Sequence, residues 1–357
     1  MPGSSLRALG FYPGEFAPGP LNSITDVPGV RVGHVTLIEG ENVRTGATAI
    51  LPHGDNLYQD RVPAGIAVAN GFGKMAGVTQ VQELGELETP ILLTHTLAVS
   101  MAMEAVIQWT LAHDETNEVF SINAVVGETN DGFLNDIRRR SLTVGHMLSA
   151  IEGAVGGQEV REGAVGAGTG TVCMGWKGGI GTSSRQLGEQ FGRYTLGVLV
   201  QTNFGGSLRV LGIPIDRYLA LPQAGFNRND GSIMIIIATD APLANRNLRR
   251  IAWRAFAGLA RTGAAFSNGS GDYALAFSTA NSVRRTAARR KEVCLVEDLP
   301  NERMSPLFQA VIEATEEAIY NALFMAVDMH GYKGRLIKAL PREHVIHILE
   351  RQVDCFL

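Results

Sequence analysis

The sequence predicts an α+β fold, with helices layered on sheets of mixed strands. Three observations lead there. Short apolar or alternating runs recur along the chain, each bounded by Gly, Pro, Asn or Asp, as strands are. A few longer stretches, 97–111, 245–261 and 305–325, carry apolar residues at helical spacing. Strands and helices follow one another without a regular strand-helix-strand beat, which argues against a doubly wound parallel sheet.

Taken in order, residues 1–20 read as an arm rather than a core element. Ile24-Thr25-Asp26-Val27-Pro28-Gly29-Val30 is a turn that feeds an alternating strand, Val30–Val35, and a second strand ends at Leu51. Ile66–Asn70 is a strand closed by Gly71-Phe72-Gly73-Lys74, and Ile91–Leu93 is a short apolar strand. Leu97–Leu111 is helical, Val119–Val126 alternates as a strand, and Thr143–Ile151 is a short helix. The glycine-rich stretch Gly163–Gly181 reads as strands joined by tight turns, followed by a buried strand, Leu196–Gln201. Leu211–Asn229, punctuated by Pro214, Pro222 and Gly225, reads as an irregular exposed loop. Beyond it lie a buried strand from Ser232 to Ala238 and a helix, Asn245–Arg261, with Leu248, Ile251, Ala252, Ala255 and Leu259 on one face. Tyr273–Ser278 is a strand. Ser305-Pro306 opens a helix, with Ser as cap and Pro in the first turn, and Glu343–Arg351 is a last short helix.

Composition narrows the function classes. A net charge of −4 with no extended basic stripe argues against nucleic acid or an anionic membrane as partner. Cys173, Cys294 and Cys355 are few, odd in number and far apart, which argues against a disulfide framework or a zinc site. Met1–Pro20 lacks the apolar core of a signal peptide, and no run is long enough to span a bilayer, so the expectation is a cytoplasmic protein. The 42 glycines in 357 residues exceed the ordinary share of about 7%. Such an excess suits tight turns and close approach of backbone to a ligand.

The chemistry concentrates in four places. Asp230-Gly231-Ser232 meets the apolar run Ile233–Ala238, so a flexible glycine and a hydroxyl stand at the mouth of a core strand. Were the Gly231–Ser232 bond cut, Ser232 would carry a nucleophilic hydroxyl and its own amine, whose ordinary pKa of about 7.7–8 suits a general base. The same residues also describe a plain turn entering a core strand. Gly127-Glu128-Thr129-Asn130-Asp131-Gly132 follows a strand and offers a carboxylate for a cationic group, or else an Asx-rich turn. Gln201-Thr202-Asn203-Phe204-Gly205-Gly206 presents Asn203, whose amide can donate to an oxyanion. In Asn268-Gly269-Ser270-Gly271-Asp272 a hydroxyl and a carboxylate two residues apart can hold an α-amine. Other motifs fail: Gly166–Gly170 has the wrong glycine spacing for a dinucleotide loop, there is no phosphate loop, and the eight histidines lack metal-ligand spacing.

Together these segments, with Ile24–His34 and Ala238-Thr239-Asp240-Ala241-Pro242-Leu243, resemble the DmpA-type L-aminopeptidase/D-esterase family, which includes the β-peptidyl aminopeptidases. The resemblance runs from about residue 20 to the C-terminal region. It implies a four-layer α/β/β/α sandwich similar to that of N-terminal-nucleophile hydrolases. It implies one catalytic domain over residues 1–357, made as a precursor and cut into an α chain, 1–231, and a β chain, 232–357. Assembly as a homotetramer and the absence of any metal or organic cofactor are also implied. Position by position, Ser232 matches the nucleophile, and Ser270 and Asp272 match the pair that supports its amine; some members carry Glu at the place of Asp272. Asn203 matches the oxyanion amide and Glu128 the acid that holds the substrate's free amine. Asn130 stands where some members place a Tyr that helps the oxyanion hole.

The expected reaction releases an N-terminal α- or β-amino acid from a small peptide, amide or ester through an acyl-enzyme on Ser232. Two alternatives stay open at this point: an acyltransferase of the ornithine-acetyltransferase type, whose nucleophile is a Thr, and an uncleaved, non-enzymatic binding homologue. Phe133, Trp176 and Phe204 are either pocket-lining or core residues.

Overall fold

The computed structural model describes residues 4–219 and 230–354. Two sheets stack face to face, each covered on its outer side by helices. The first sheet contains β1 (Arg31–Glu39), β2 (Val43–Leu51), β4 (Met75–Ala76), β5 (Ile91–His95) and β6 (Val125–Thr129), in the order β1-β2-β5-β6-β4. The second runs β7-β8-β9-β10-β3, from β7 (Ile180–Gln186), β8 (Thr195–Asn203), β9 (Asp230–Thr239), β10 (Gly269–Ser278) and β3 (Asp60–Gly71), with two short strands added along β3. Helices α1 (Val99–Ala112) and α2 (Val144–Glu152) cover the first sheet, and α3 (Asn245–Arg261) and α4 (Ser305–Phe324) cover the second. The helix α5 (Arg342–Asp354) closes the described chain. The four-layer α/β/β/α sandwich implied by the sequence is the architecture found.

The burial of β9 explains why its sequence is apolar at every position. Ile233, Ile235 and Ile237 enter the core shared with α3 and α4, whereas Met234, Ile236 and Ala238 enter the core between the sheets. A central strand packed on both faces needs no polar alternation. β2, facing α2 on one side and the second sheet on the other, is likewise buried throughout.

Several expectations shift. The strand expected from Val119 starts only at Val125, because residues 119–124 carry no ladder partner. Gly163–Gly181 forms a two-residue pair, Val172-Cys173 with Trp176-Lys177, and a single bridge from Gly163 to Ile180, where β7 begins. Met304, not Ser305, occupies the cap of α4, with no side-chain capping bond; Pro306 lies in the first turn as expected. The described part of the N-terminal arm is docked rather than free. Leu6 is fully buried, and Ala17 O accepts from Gln186 N–H at the edge of β7. The C-terminal half of the expected loop 211–229 lies outside the described residues from 220 onward, as does Cys355. Among the described residues, no helix is long and apolar enough to cross a membrane.

Buried charges tie the arm to α4. Arg185 lies between Glu313, 3.1 Å from its Nε, and Glu317, 2.8 Å from its Nη2, and Arg7 adds a second pair to Glu317. Burial pushes the Glu317 carboxyl up, but the hydrogen bond from Arg7 and the charge of Arg185 outweigh it and hold the group below the usual range. That stabilisation is complete above about pH 4.3, the unfolded value, and is lost as pH falls through the lower native one.

Close docking of α4 on β7 depends on Gly181. A Cβ there would collide with the backbone carbonyl of Ala318 and come within 2.7 Å of Ala322 N. Gly181→Ala is expected to lower unfolding stability by about 1–3 kcal/mol, as overpacking does, measured as a shift in the urea midpoint at unchanged slope.

Candidate active site

Ser232 stands at the start of β9, where two ladders of opposite sense meet. On one side β9 runs antiparallel to β8, and Ser232 lies opposite Asn203. On the other it runs parallel to β10, with Gly231, Ser232 and Ile233 level with Ser270, Gly271 and Asp272. Directly opposed residues point to the same face, so Ser232 and Asn203 share a side. The two neighbouring strands thus bring Asn203 opposite Ser232 on its own face, and set Ser270 and Asp272 level with the residues on either side of Ser232.

Gly231 could hardly be another residue. Its φ of 145° lies in the region that favours glycine, and a Cβ would collide with the carbonyl of Asn203. Ser232 is 7% exposed, and its Oγ accepts a hydrogen bond of 3.2 Å from the N–H of Gly271. The Oδ1 of Asn203 accepts from Val172 N–H at 3.0 Å, which fixes the amide and turns its NH2 away from Val172. The loop bearing Val172 is itself held from below. Buried Lys177 donates to the carbonyls of Gly168, Thr171 and Gly178 at 2.8–3.0 Å, and burial pulls its ammonium down to about 7.

Ser270 donates to Asp272 Oδ1 at 2.6 Å. Asp272 Oδ2 is buried and meets no hydrogen-bond donor among the described residues. Desolvation raises the Asp272 carboxyl to about 6, against the opposing effect of the Ser270 hydrogen bond. Tyr273, next along β10, donates to Gly73 O at 3.0 Å; burial, then the charges of Glu128 and Asp272, push its phenol up.

Glu128 joins this group through a close approach of backbones. A Cβ on Gly73 would lie 3.2 Å from Gly271 Cα and 3.6 Å from Glu128 Oε1, so one glycine separates the carboxylate from the strand that holds Ser232 Oγ. Glu128 Oε1 accepts from Lys74 N–H at 3.0 Å and from Lys74 Nζ at 3.1 Å, and Oε2 accepts from the Thr96 hydroxyl. Asn130 is placed differently. It is exposed beyond β6 and uses its Oδ1 on Gly132 N–H at 2.9 Å, an Asx turn.

Sequence reasoning missed Lys74, Thr96, Gly271 and Lys177. Lys74 carried a signal, a cation in the glycine-flanked loop after the strand Ile66–Asn70. Thr96 and Lys177 reach their partners only through the fold. Trp176 and Phe204 belong to the core under α4, and Phe133 packs with Arg335 in a small satellite cluster. Asp230 stands at the start of β9, but its side chain lies outside the described residues.

Among the described residues one group, His53, Asp55 and Asp60, brings ligand atoms within 4.8 Å of one another. Arg284 already pairs with both carboxylates, and His53 donates from Nε2 to Asp60 O at 2.7 Å.

Residues 22–337 match peptidase family S58. The chain is 41% identical to the β-peptidyl aminopeptidase BapA of Sphingosinicella microcystinivorans, covering 98% of this chain and 92% of that protein. Among solved structures it is similar to the PH0078 protein of Pyrococcus horikoshii OT3, with a TM-score of 0.91, 45% identity and coverage of 98% and 99%. It is also similar to the L-aminopeptidase D-Ala-esterase/amidase of Ochrobactrum anthropi, described as a prototype for the serine aminopeptidases with a variant of the Ntn-hydrolase fold. There the TM-score is 0.90 at 36% identity, over 98% of both chains.

The raised Asp272 gives a signed pH dependence. A carboxyl whose native value lies above its unfolded value of about 3.9 favours the fold at low pH and loses that contribution as pH rises to about 6. In an uncut Ser232→Ala background, adding Asp272→Asn should remove about 2–3 kcal/mol of this pH dependence between pH 4 and pH 6, read from paired urea titrations.

Proposed function

Because the chain belongs to peptidase family S58, we propose that it cuts its own Gly231–Ser232 bond and that the freed Ser232 is the nucleophile of a serine aminopeptidase. The observation that carries this reading is the double ladder, which sets Ser232 Oγ at Gly271 N–H and opposite Asn203, with Ser270 and Asp272 the residues on either side of Gly271.

In the precursor, Ser232 Oγ attacks the carbonyl carbon of Gly231 and its proton passes to the departing Ser232 nitrogen. Water then cleaves the resulting ester, leaving a carboxylate on Gly231 and a free amine on Ser232. Asp272 Oδ2, a buried acceptor without a donor among the described residues, supports a role in receiving that amine. Before the cut its charge is uncompensated; afterwards a neighbouring ammonium favours the ionised form.

In turnover, Glu128 takes the substrate's ammonium and Ser232 Oγ attacks the adjacent carbonyl while the Ser232 amine accepts the proton. Asn203, with Gly271 N–H, faces the developing oxyanion. The leaving amine or alcohol takes the proton, and water releases the acyl group. The substrates are small peptides, amides or esters with a free amino end, of α- or β-amino acids. Relatives named for peptidase and esterase/amidase activity favour hydrolysis over the acyltransferase alternative. A cytoplasmic homotetramer of cut αβ units completes the reading.

Removing one oxyanion donor typically costs about 10²–10³ in kcat, so Asn203→Ala should lower kcat by about that factor with little change in KM. Glu128→Gln should instead raise KM for an aminoacyl amide, and N-acetylated substrate should not be cut. Unchanged kcat in Asn203→Ala, measured by steady-state kinetics, would remove Asn203 from the oxyanion site.

A further inference from the structure

Glu128 is already occupied. Its side chain is 3% exposed and accepts three hydrogen bonds, from Lys74 N–H, Lys74 Nζ and the Thr96 hydroxyl. An ionised carboxylate has about four acceptor positions, so one remains for an incoming ammonium. The N–H and the hydroxyl carry no charge. Lys74 Nζ is the cationic partner of Glu128 among the described residues, and its side chain is 54% exposed.

This pairing sets a condition on what can bind. A substrate bringing only an ammonium places a second positive charge beside Lys74, next to a single, nearly buried carboxylate. Either Lys74 leaves or the site holds surplus charge. A substrate that carries a carboxylate on the same carbon as its ammonium meets no such penalty. Ammonium against Glu128 and carboxylate against Lys74 give four charges in alternation and no net excess. Lys74 stays within reach because its own N–H is bound to the same Glu128 oxygen.

We infer that Lys74 and Glu128 form a clamp for a zwitterion, and that the site takes β-aspartyl peptides, whose ammonium and carboxylate share one carbon. The inference rests on the proposed role of Glu128 as the ammonium anchor. In a β-aspartyl group one methylene separates the amine-bearing carbon from the scissile carbonyl. Between Glu128 Oε1 and Gly271, whose N–H holds Ser232 Oγ, the structure likewise leaves only the width of Gly73. The reaction is the hydrolysis already described: the amide C–N bond breaks, the acyl group passes to Ser232 Oγ, the leaving amine takes the proton, and water releases free aspartate.

β-Aspartyl and β-alanyl p-nitroanilides differ only by that carboxylate. With the processed enzyme, kcat/KM should favour the β-aspartyl substrate at least ten-fold. Lys74→Met should lower the β-aspartyl to β-alanyl ratio of kcat/KM at least ten-fold, and Lys74→Arg should retain the preference. Two fragments of Lys74→Met, one beginning at Ser232, with the wild-type urea midpoint report a folded, processed enzyme. No wild-type preference, or an equal change on both substrates in Lys74→Met, would overturn the clamp. Glu128→Gln separates the premise: unchanged KM for the β-alanyl substrate would remove the ammonium anchor itself. A raised KM there, with no discrimination by Lys74→Met, would remove the clamp alone.

Discussion

Ser232 is fixed by two ladders of opposite sense, and the rest of the site depends on that junction. An antiparallel neighbour places Asn203 directly across from Ser232, while a parallel neighbour places Gly271 level with it and Ser270 and Asp272 on either side of Gly271. Were both neighbours antiparallel, the Ser270-Gly271-Asp272 segment would run past Ser232 in the opposite direction and its hydroxyl and carboxylate would change places. The isoleucine run that follows Ser232 anchors the junction by filling both cores, so the reactive end of β9 projects from one of the most deeply buried strands of the molecule.

Glycines let three backbones meet around that end. Gly231 passes against the carbonyl of Asn203, and Gly271 lies against Gly73, where a Cβ on either would press into the other's chain. The close approach brings Glu128, from the first sheet, towards the strand that holds Ser232 Oγ on the second. The proposed site is therefore built across the sandwich, with Glu128 on one sheet and Ser232, Asn203 and Gly271 on the other. Burial sets the electrostatics. Asp272 pays for its desolvation with a raised pKa, and Lys177 is held low while it pins the loop that orients Asn203.

Much of this was legible in the sequence, for definable reasons. The continuous apolar run after Ser232 betrayed a strand covered on both faces, and the periodicity of 245–261 gave α3 its buried side. The chemistry-bearing residues Glu128, Asn203, Ser232, Ser270 and Asp272 all sit near strand ends, and all but Asn203 stand directly beside glycine, which local reading can find. Their convergence came from the family resemblance, because strand pairing between residues 203, 232 and 271 is a long-range property. Partners such as Thr96 and Lys177 were illegible, since a threonine before a helix or a lysine in a glycine-rich stretch carries no mark of burial. The strand expected at Val119 failed because alternation alone cannot reveal that a segment lacks a neighbour to pair with.

The central claim is that Ser232 becomes an N-terminal nucleophile by cutting the bond before it. Intact mass and N-terminal sequencing of the purified protein, beside a Ser232→Ala variant, test it most directly. Two fragments in the wild type, one beginning at Ser232, with a single uncut chain in the variant, are the predicted result. A wild-type chain that stays whole while hydrolysing aminoacyl amides would contradict it, because Ser232 would then have no free amine to act as base.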